Sequence, residues 1–555
     1  MNRNVLVLVI VLAAAGGYFF YDRMQAPPPP DLAPVGATLL EGLGNYSLPV
    51  TASGPQVQRW FDQGLALTYG FNHDAAERSY LKAAELDPDC AMCWWGAALV
   101  LGPHVNATMD PANNAKAWDR LQRALEAADE ASEREQAYVQ ALSARYAEAP
   151  PADRRTLDEA YAAAMAKLAA RYPDDVDAQT LYAESMMDLQ PWDYWDADGK
   201  PKGHTAEIVS TLESVIARSP DHPGALHLYV HAVEASDDAA RGVAAADRLR
   251  ELLPGSGHLV HMPAHIYARV GRFHDAVLAN QKAIAADDAY LAICKPGPGV
   301  YPLGYVPHNH HFLWFAATME GNSAVAFSAA AATASRTSDP QLMRTPGFEA
   351  MQNFALTPLF ADVRFHRWQQ IVELPQPPAD LPYMVAMWHY AQGMAAVGQR
   401  RLEDARHHHD ETRKGAGDPV VEKMMAWDRY SLAGGVRIAE HMLGGEIARA
   451  AGDFDAAITA LSEAVAIEDT LLYDEPPAWH SPVRQSLGAV LLAAGRPQDA
   501  EASYREELRR NPENGWSLYG LERALRAQGR KAEAKEVAER FDKAWANADV
   551  KLSEL

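Results

Sequence analysis

Histidines recur at matched spacings in the middle of the chain. The sequence holds 20 histidines, and two pairs share one register. His227 and His231 lie 7 and 11 residues after Pro220, and His261 and His265 lie 7 and 11 residues after Pro254. Residues at i and i+4 share one face of a helix, about 5–6 Å apart at Cβ. The spacing therefore predicts two equivalent histidine pairs on neighbouring helices.

Further histidines and acids continue this register. Glu184 lies 11 residues after Pro173 and forms an i, i+4 pair with Asp188, and two later histidines precede Gly321 as two earlier ones precede Gly271. Imidazole and carboxylate groups are ligands of zinc, iron and copper. We predict a transition-metal cofactor (Cu, Fe or Zn) held by His227, His231, His261, His265, Glu184, Asp188, His258, His308 and His311.

Two interpretations compete with metal binding. Duplication of a repeat copies a histidine without any need for metal, and a peptide or small-ligand groove is a second alternative. An enzyme is a further possibility, either a metal-dependent oxidoreductase or a hydrolase, in which Glu184 or Glu234 is a bridging ligand or general base. The sequence contains no Gly-rich phosphate loop, G-x-S-x-G elbow or H-E-x-x-H motif, so catalysis would depend on the metal.

Aromatic loops flank this region. An insertion at residues 189–205 carries Trp192, Asp193 and Trp195, and a proline-bounded segment carries Tyr305 directly before His308. A rigid loop can position ligands in advance. We predict that these side chains, with Glu234, surround the metal ligands, although the tryptophans could equally fill a gap between repeats.

Small, aromatic and proline residues recur with a period of 34. Gly495 and Ala500 are followed by Gly529 and Ala534, and an earlier unit reads Gly64, Ala76, Tyr80, Ala83 and Pro88. This pattern resembles the tetratricopeptide repeat, in which each unit is a pair of antiparallel helices. The resemblance implies an all-α, right-handed α-solenoid. It also implies that the histidines and acids line its inner wall, and that the chain has a protein or peptide partner.

The repeat pattern and its interruptions divide the chain into segments. Clear units flank an irregular, proline-containing stretch, and an insertion at residues 469–481 lengthens one C-terminal unit. The predicted organisation is an N-terminal membrane anchor or signal peptide (1–24), a Pro-rich linker (25–50), N-terminal repeats with an insertion (51–140), central His-rich repeats (141–340), a helical connector (341–435) and C-terminal repeats (436–555).

The N-terminus predicts contact with a membrane. Residues 5–21 carry no charge, Arg3 precedes them, and an aromatic group ends them. A helix of this length covers about 26 Å, the low end of a bilayer span. We predict a single-pass inner-membrane protein whose bulk is periplasmic. A cleaved signal peptide is the alternative.

Charge and cysteine content narrow the class further. The formal charge of −23 disfavours nucleic acid as a partner, because a negative surface repels phosphates. Cys90 and Cys93 are spaced for a local disulfide, which an environment outside the cytoplasm permits. The sequence thus predicts a tethered metal-binding solenoid, with a metal-free scaffold for protein interactions as the alternative.

Overall fold

The abundance of alanine and long unbranched side chains is realised as an all-α fold. The computed structural model describes residues 37–196, 199–297, 299–427 and 429–553. Its N-terminal helices are α1 Pro55–Tyr69, α2 His73–Leu86, α3 Ala91–Leu99, α4 Asn114–Ala127, α5 Glu133–Leu142, α6 Arg155–Arg171 and α7 Val176–Met187.

The central helices carry most of the predicted metal ligands. They are α8 Thr205–Arg218, α9 Pro223–Val233, α10 Val243–Leu249, α11 Gly257–His261, α12 Pro263–Arg269, α13 Phe273–Cys294, α14 Val306–Met319 and α15 Ser323–Thr337.

Shorter helices and a small hairpin lead to the C-terminal helix pairs. The helices are α16 Ala350–Ala355, α17 Thr357–Arg364, α18 Trp368–Glu373, α19 Pro382–Gly398, α20 Leu402–Ala416, α21 Pro419–Lys423, α22 Ala433–Ala450, α23 Phe454–Glu468, α24 Val483–Ala493, α25 Pro497–Arg510, α26 Gly515–Ala527 and α27 Lys531–Ala544. Strands β1 Met425–Ala426 and β2 Tyr430–Ser431 pair antiparallel.

Short turns of other helical types connect these elements. A π-helical turn, Tyr301–Tyr305, leads into α14. The 3₁₀ turns are Pro111–Asn113, Ala128–Glu130, Ser143–Arg145, Ala239–Gly242 and Leu342–Arg344.

A tyrosine between two glycines fixes the crossing of helices in the first repeat. A Cβ atom at Gly64 would lie 2.7 Å from the Tyr80 ring, and one at Gly96 would lie 2.4 Å from it. Side chains at either position would therefore push the helices apart. Gly488 and Gly520 contact Tyr504 in the same way, at 2.6 and 2.1 Å. The same packing thus recurs near both ends of the chain.

Helix ends in the central region follow from local sequence. The side chains of Asp175 and His222 accept hydrogen bonds from the first turns of α7 and α9, which satisfies free backbone donors there. Gly271 has a φ of 78° and directly follows the helical stretch that carries His261 and His265, a conformation that favours glycine. Pro263 begins α12 without displacing those two histidines from one face.

The C-terminal repeats contact the central ones. The Arg269 guanidinium donates to the Arg510 carbonyl oxygen, and the Trp516 indole donates to the Thr318 carbonyl oxygen. Leu39–Leu555 forms one compact unit. These contacts bring the 469–481 insertion against the central histidines.

The predicted membrane localisation needs correction. Among the described residues, none of the helices combines the length and the apolar character that crossing a bilayer requires. This finding contradicts the prediction of a single-pass inner-membrane protein with a periplasmic bulk. The predicted anchor, residues 5–21, lies outside the described residues.

Candidate metal centre

Three histidines form the first of two trios. His227 and His231 project from α9 and His258 from α11, and one ring nitrogen from each lies within 4.8 Å of the others. The His227 ring centroid lies 4.8 Å from that of His231 and 4.9 Å from that of His258. All three side chains are at most 2% exposed. We refer to His227, His231 and His258 as the first trio.

Hydrogen bonds fix the orientation of two of these rings. His227 Nδ1 donates to the Tyr69 carbonyl oxygen at 2.7 Å, and His231 Nδ1 donates to Glu234 Oε1 at 2.8 Å. Because these oxygens only accept, each Nε2 keeps its lone pair. Both Nε2 atoms, and both ring nitrogens of His258, are buried without a hydrogen-bond partner.

The second trio consists of His261, His265 and His308. His261 Nε2 lies 2.6 Å from His265 Nε2 and 3.0 Å from His308 Nε2. His261 Nδ1 donates to the Asn280 side-chain oxygen at 2.7 Å, so its Nε2 carries the lone pair. Tetrahedral ligands of zinc sit about 3.3 Å apart, given Zn–N distances of ~2.0–2.1 Å. The convergence of three nitrogens is close to this arrangement.

Two glutamates lie behind the trios. Glu234 Oε1 accepts from His231 and its Oε2 accepts from His265 Nδ1 at 2.5 Å. Glu475 Oε1 lies 2.9 Å from the same His265 nitrogen, and Glu475 Oε2 accepts from the Tyr473 hydroxyl. Carboxylates in this position orient a metal-bound imidazole and raise its basicity. Glu234 does so for one histidine of each trio.

Burial sets the protonation of the rings. Burial, with the neighbouring histidines, lowers the pKa of His231 and His308 to about 3. Burial opposes the charged form of His265 too, but Glu475 and Glu234 outweigh it and raise the pKa of His265 to about 10. Neutral imidazole is the form that binds metal. The donor set therefore fits a transition-metal ion at each trio, and a metal would displace the shared proton at His265.

Aromatic rings enclose the trios. Phe71 stacks on His231 with ring centroids 6.0 Å apart, and Phe312 stacks on His265 at 5.1 Å. Tyr305 lies 4.4 Å from His258. Trp192 meets His231 edge-on at 5.2 Å. These contacts shield both trios from solvent, and a cavity of about 210 Å³ adjoins His265 and Glu475 on one side.

The predicted acids of the register do not reach either trio. Asp188 pairs instead with Arg145 at 2.9 Å, and both side chains are 4% exposed. Burial raises the pKa of Glu184 to about 7 although Arg145 opposes this shift. These acids share the register of the histidines but not their surroundings, because a buried arginine faces them.

The remaining predicted residues lie around or away from the trios. His311 stacks on Trp314 at 5.2 Å and joins neither trio. Trp195 donates to the Ala232 carbonyl oxygen, while Asp193 pairs with Lys202 at the surface. Cys90 and Cys93 are joined by a disulfide in the structure.

Several contributors had no signal in the sequence. Tyr69 acts through its backbone carbonyl, and Asn280 lies one helix beyond the histidine that it holds. Phe71 adopts a φ of 52°, which places its ring over the first trio. Glu475 lies within the 469–481 insertion, whose unusual length was the one available signal. Side-chain type alone did not distinguish it from the neighbouring acids.

Comparisons with known proteins agree on the repeat class. The family model of the tetratricopeptide repeat matches residues 57–90. No curated protein matches the sequence. Among solved structures, the APC/C hetero-tetramer Cut9–Hcn1 is 16% identical, with a TM-score of 0.31, over 85% of this chain and 77% of that chain.

Two further structures are similarly distant. The human IFIT1 dimer with m7Gppp-AAAA is 13% identical, with a TM-score of 0.31, over 89% of this chain and 91% of that one. Yeast Tom70 is 12% identical, with a TM-score of 0.25, over 88% and 90%. At these values the similarities support no conclusion about function. The chain contains a tetratricopeptide repeat, at residues 57–90, within an array of helix pairs.

Proposed function

We propose that this helix-repeat protein holds transition-metal ions in its interior through the two histidine trios. The observation that carries the proposal is the set of buried nitrogens in the first trio. His227 Nε2, His231 Nε2 and both nitrogens of His258 have no hydrogen-bond partner. Leaving such groups unpaired costs roughly 1–3 kcal/mol each. A bound cation would satisfy the lone pairs of all three rings at once.

The outer contacts support this proposal. Metal-binding histidines usually donate their second ring nitrogen to a carboxylate or a carbonyl. Tyr69, Glu234 and Asn280 accept such hydrogen bonds from His227, His231 and His261. Those bonds leave each Nε2 free to face its trio. Copper, iron or zinc would supply Lewis-acid or redox chemistry, and the chain would supply a preformed, largely dry site.

Elemental analysis of the purified full chain tests the proposal. We expect bound metal with micromolar or tighter affinity in the native protein, and its loss when His227, His231, His261 and His265 are changed to alanine. A control with the exposed His204 and His407 changed to alanine should keep its metal. Absence of metal from the native protein after reconstitution, or full retention by the fourfold variant, would contradict metal binding.

A metal-free scaffold for protein partners is the second candidate. The match of residues 57–90 to the tetratricopeptide repeat favours it, because such arrays expose extended binding surfaces. Affinity purification of the full chain should then retain the same specific partner before and after the fourfold histidine substitution. A partner lost together with the metal would instead make binding dependent on the metal centre.

A further inference from the structure

The two trios are close neighbours in the interior. The His231 ring of the first trio lies 6.0 Å from the His265 ring of the second. The His258 ring of the first lies 6.2 Å from the His261 ring of the second. Helices α9, α11 and α12 supply five of these six histidines, and His308 from α14 supplies the sixth. Metal ions bound in both trios would therefore be adjacent.

Resting on the metal binding proposed above, we propose that the two trios form one dinuclear centre that takes a pair of copper(I) ions. Glu234 is the element that joins them. Its two oxygens accept hydrogen bonds from His231 of one trio and from His265 of the other. A change in the position or charge of this single carboxylate thus reaches both trios.

The ligand sets select among metals. Each trio presents three imidazole nitrogens, and the groups behind them are hydrogen-bonded to the opposite ring nitrogens. Copper(I) is stable with three nitrogen ligands. Zinc generally requires a fourth ligand, and manganese or magnesium prefers oxygen donors. Three imidazoles without a coordinating carboxylate therefore favour copper.

The charge of the surroundings selects the oxidation state. Glu234 and Glu475 are the two carboxylates in contact with the trios, and both are buried. Two copper(I) ions would balance two carboxylates, whereas two divalent ions would leave two positive charges uncompensated. Buried charge that lacks a partner is costly. Copper(I) is accordingly the state that the interior stabilises in the absence of a bridging anion.

Electron paramagnetic resonance distinguishes a paired centre from two separate sites. The full chain is loaded with copper(I) without oxygen, and bound copper is counted. Two equivalents of ferricyanide then remove one electron from each copper(I), giving two copper(II) and two ferrocyanide ions. We expect two bound ions per chain and a spin count far below two, because adjacent copper(II) ions couple.

Single-trio and carboxylate variants sharpen the measurement. His258→Phe removes a ligand from the first trio alone, so we expect one retained copper and an isolated copper(II) signal close to one spin per chain. Glu234→Gln keeps only one acceptor, so we expect copper affinity to fall by about 10–100-fold at both trios. Glu213→Gln, an exposed carboxylate on α8, is the control and should leave binding unchanged.

The possible failures are distinct. No bound metal of any kind would overturn the proposed function itself. Bound copper that gives the full signal of two isolated ions, or a His258→Phe spectrum identical to that of the native protein, would overturn the dinuclear centre and leave metal binding intact. Tight zinc binding without copper(I) binding would overturn the choice of metal.

Discussion

Replacing His258 with phenylalanine separates the needs of the metal site from those of the fold. His258 makes no hydrogen bond with either ring nitrogen, and it packs between the rings of Tyr305 and His227. Removing two buried, unpartnered nitrogens should gain roughly 2–6 kcal/mol, at 1–3 kcal/mol each. The larger phenyl ring costs less than about 1.5 kcal/mol in packing. We expect His258→Phe to stabilise the metal-free protein by at least about 0.5 kcal/mol.

Denaturation in the presence of a chelator measures this effect, and metal titration of the same variant measures the lost trio. The matched variant His265→Phe should behave oppositely, since it leaves Glu234 and Glu475 buried without their shared donor. We expect it to lose about 3–5 kcal/mol. A metal-free His258→Phe protein that is clearly less stable than the native one would refute the idea that these nitrogens lack partners.

Three further predictions concern other parts of the fold. Burial lowers the pKa of His480 to about 3, below the ordinary 6.5, so the unfolded chain binds more protons between these values. The melting temperature should therefore fall as pH drops from 6.5 toward 3, and less so in His480→Phe. Arg145→Ala leaves Asp188 buried and unpaired, so the free energy of unfolding should drop by about 3–5 kcal/mol with metal content unchanged; lost metal would show that these acids contribute to the centre. Gly96→Ala places a methyl group 2.4 Å from the Tyr80 ring, and thermal melting should show a loss of about 1–3 kcal/mol.

Periodicity predicted the helix pairs and the histidine pairs because both depend on spacing along one helix. His227 with His231, and His261 with His265, lie on shared faces as the i, i+4 rule requires. The same reasoning failed for Glu184. Its register matches that of the histidines, but the surroundings come from another helix, where Arg145 attracts the acids.

Contacts between distant segments had no counterpart in the sequence pattern. The Tyr69 carbonyl and the Glu475 carboxylate belong to segments that meet the histidines only after the chain has folded back. Backbone acceptors are identical in every residue, so type and spacing cannot single one out. The insertion at 469–481 was visible as a change in repeat length, but the residue that it delivers was not.

The fold-back has a consequence for the order of assembly. His227 contacts a carbonyl 158 residues earlier in the chain, and Glu475 reaches His265 from the far C-terminal side. Closing such long loops is slow, while each helix pair forms from local contacts. We therefore expect the helix pairs to form before the centre is complete. During synthesis His265 would wait for more than two hundred further residues before its second carboxylate arrives, so a metal ion can be enclosed only once the chain is nearly finished.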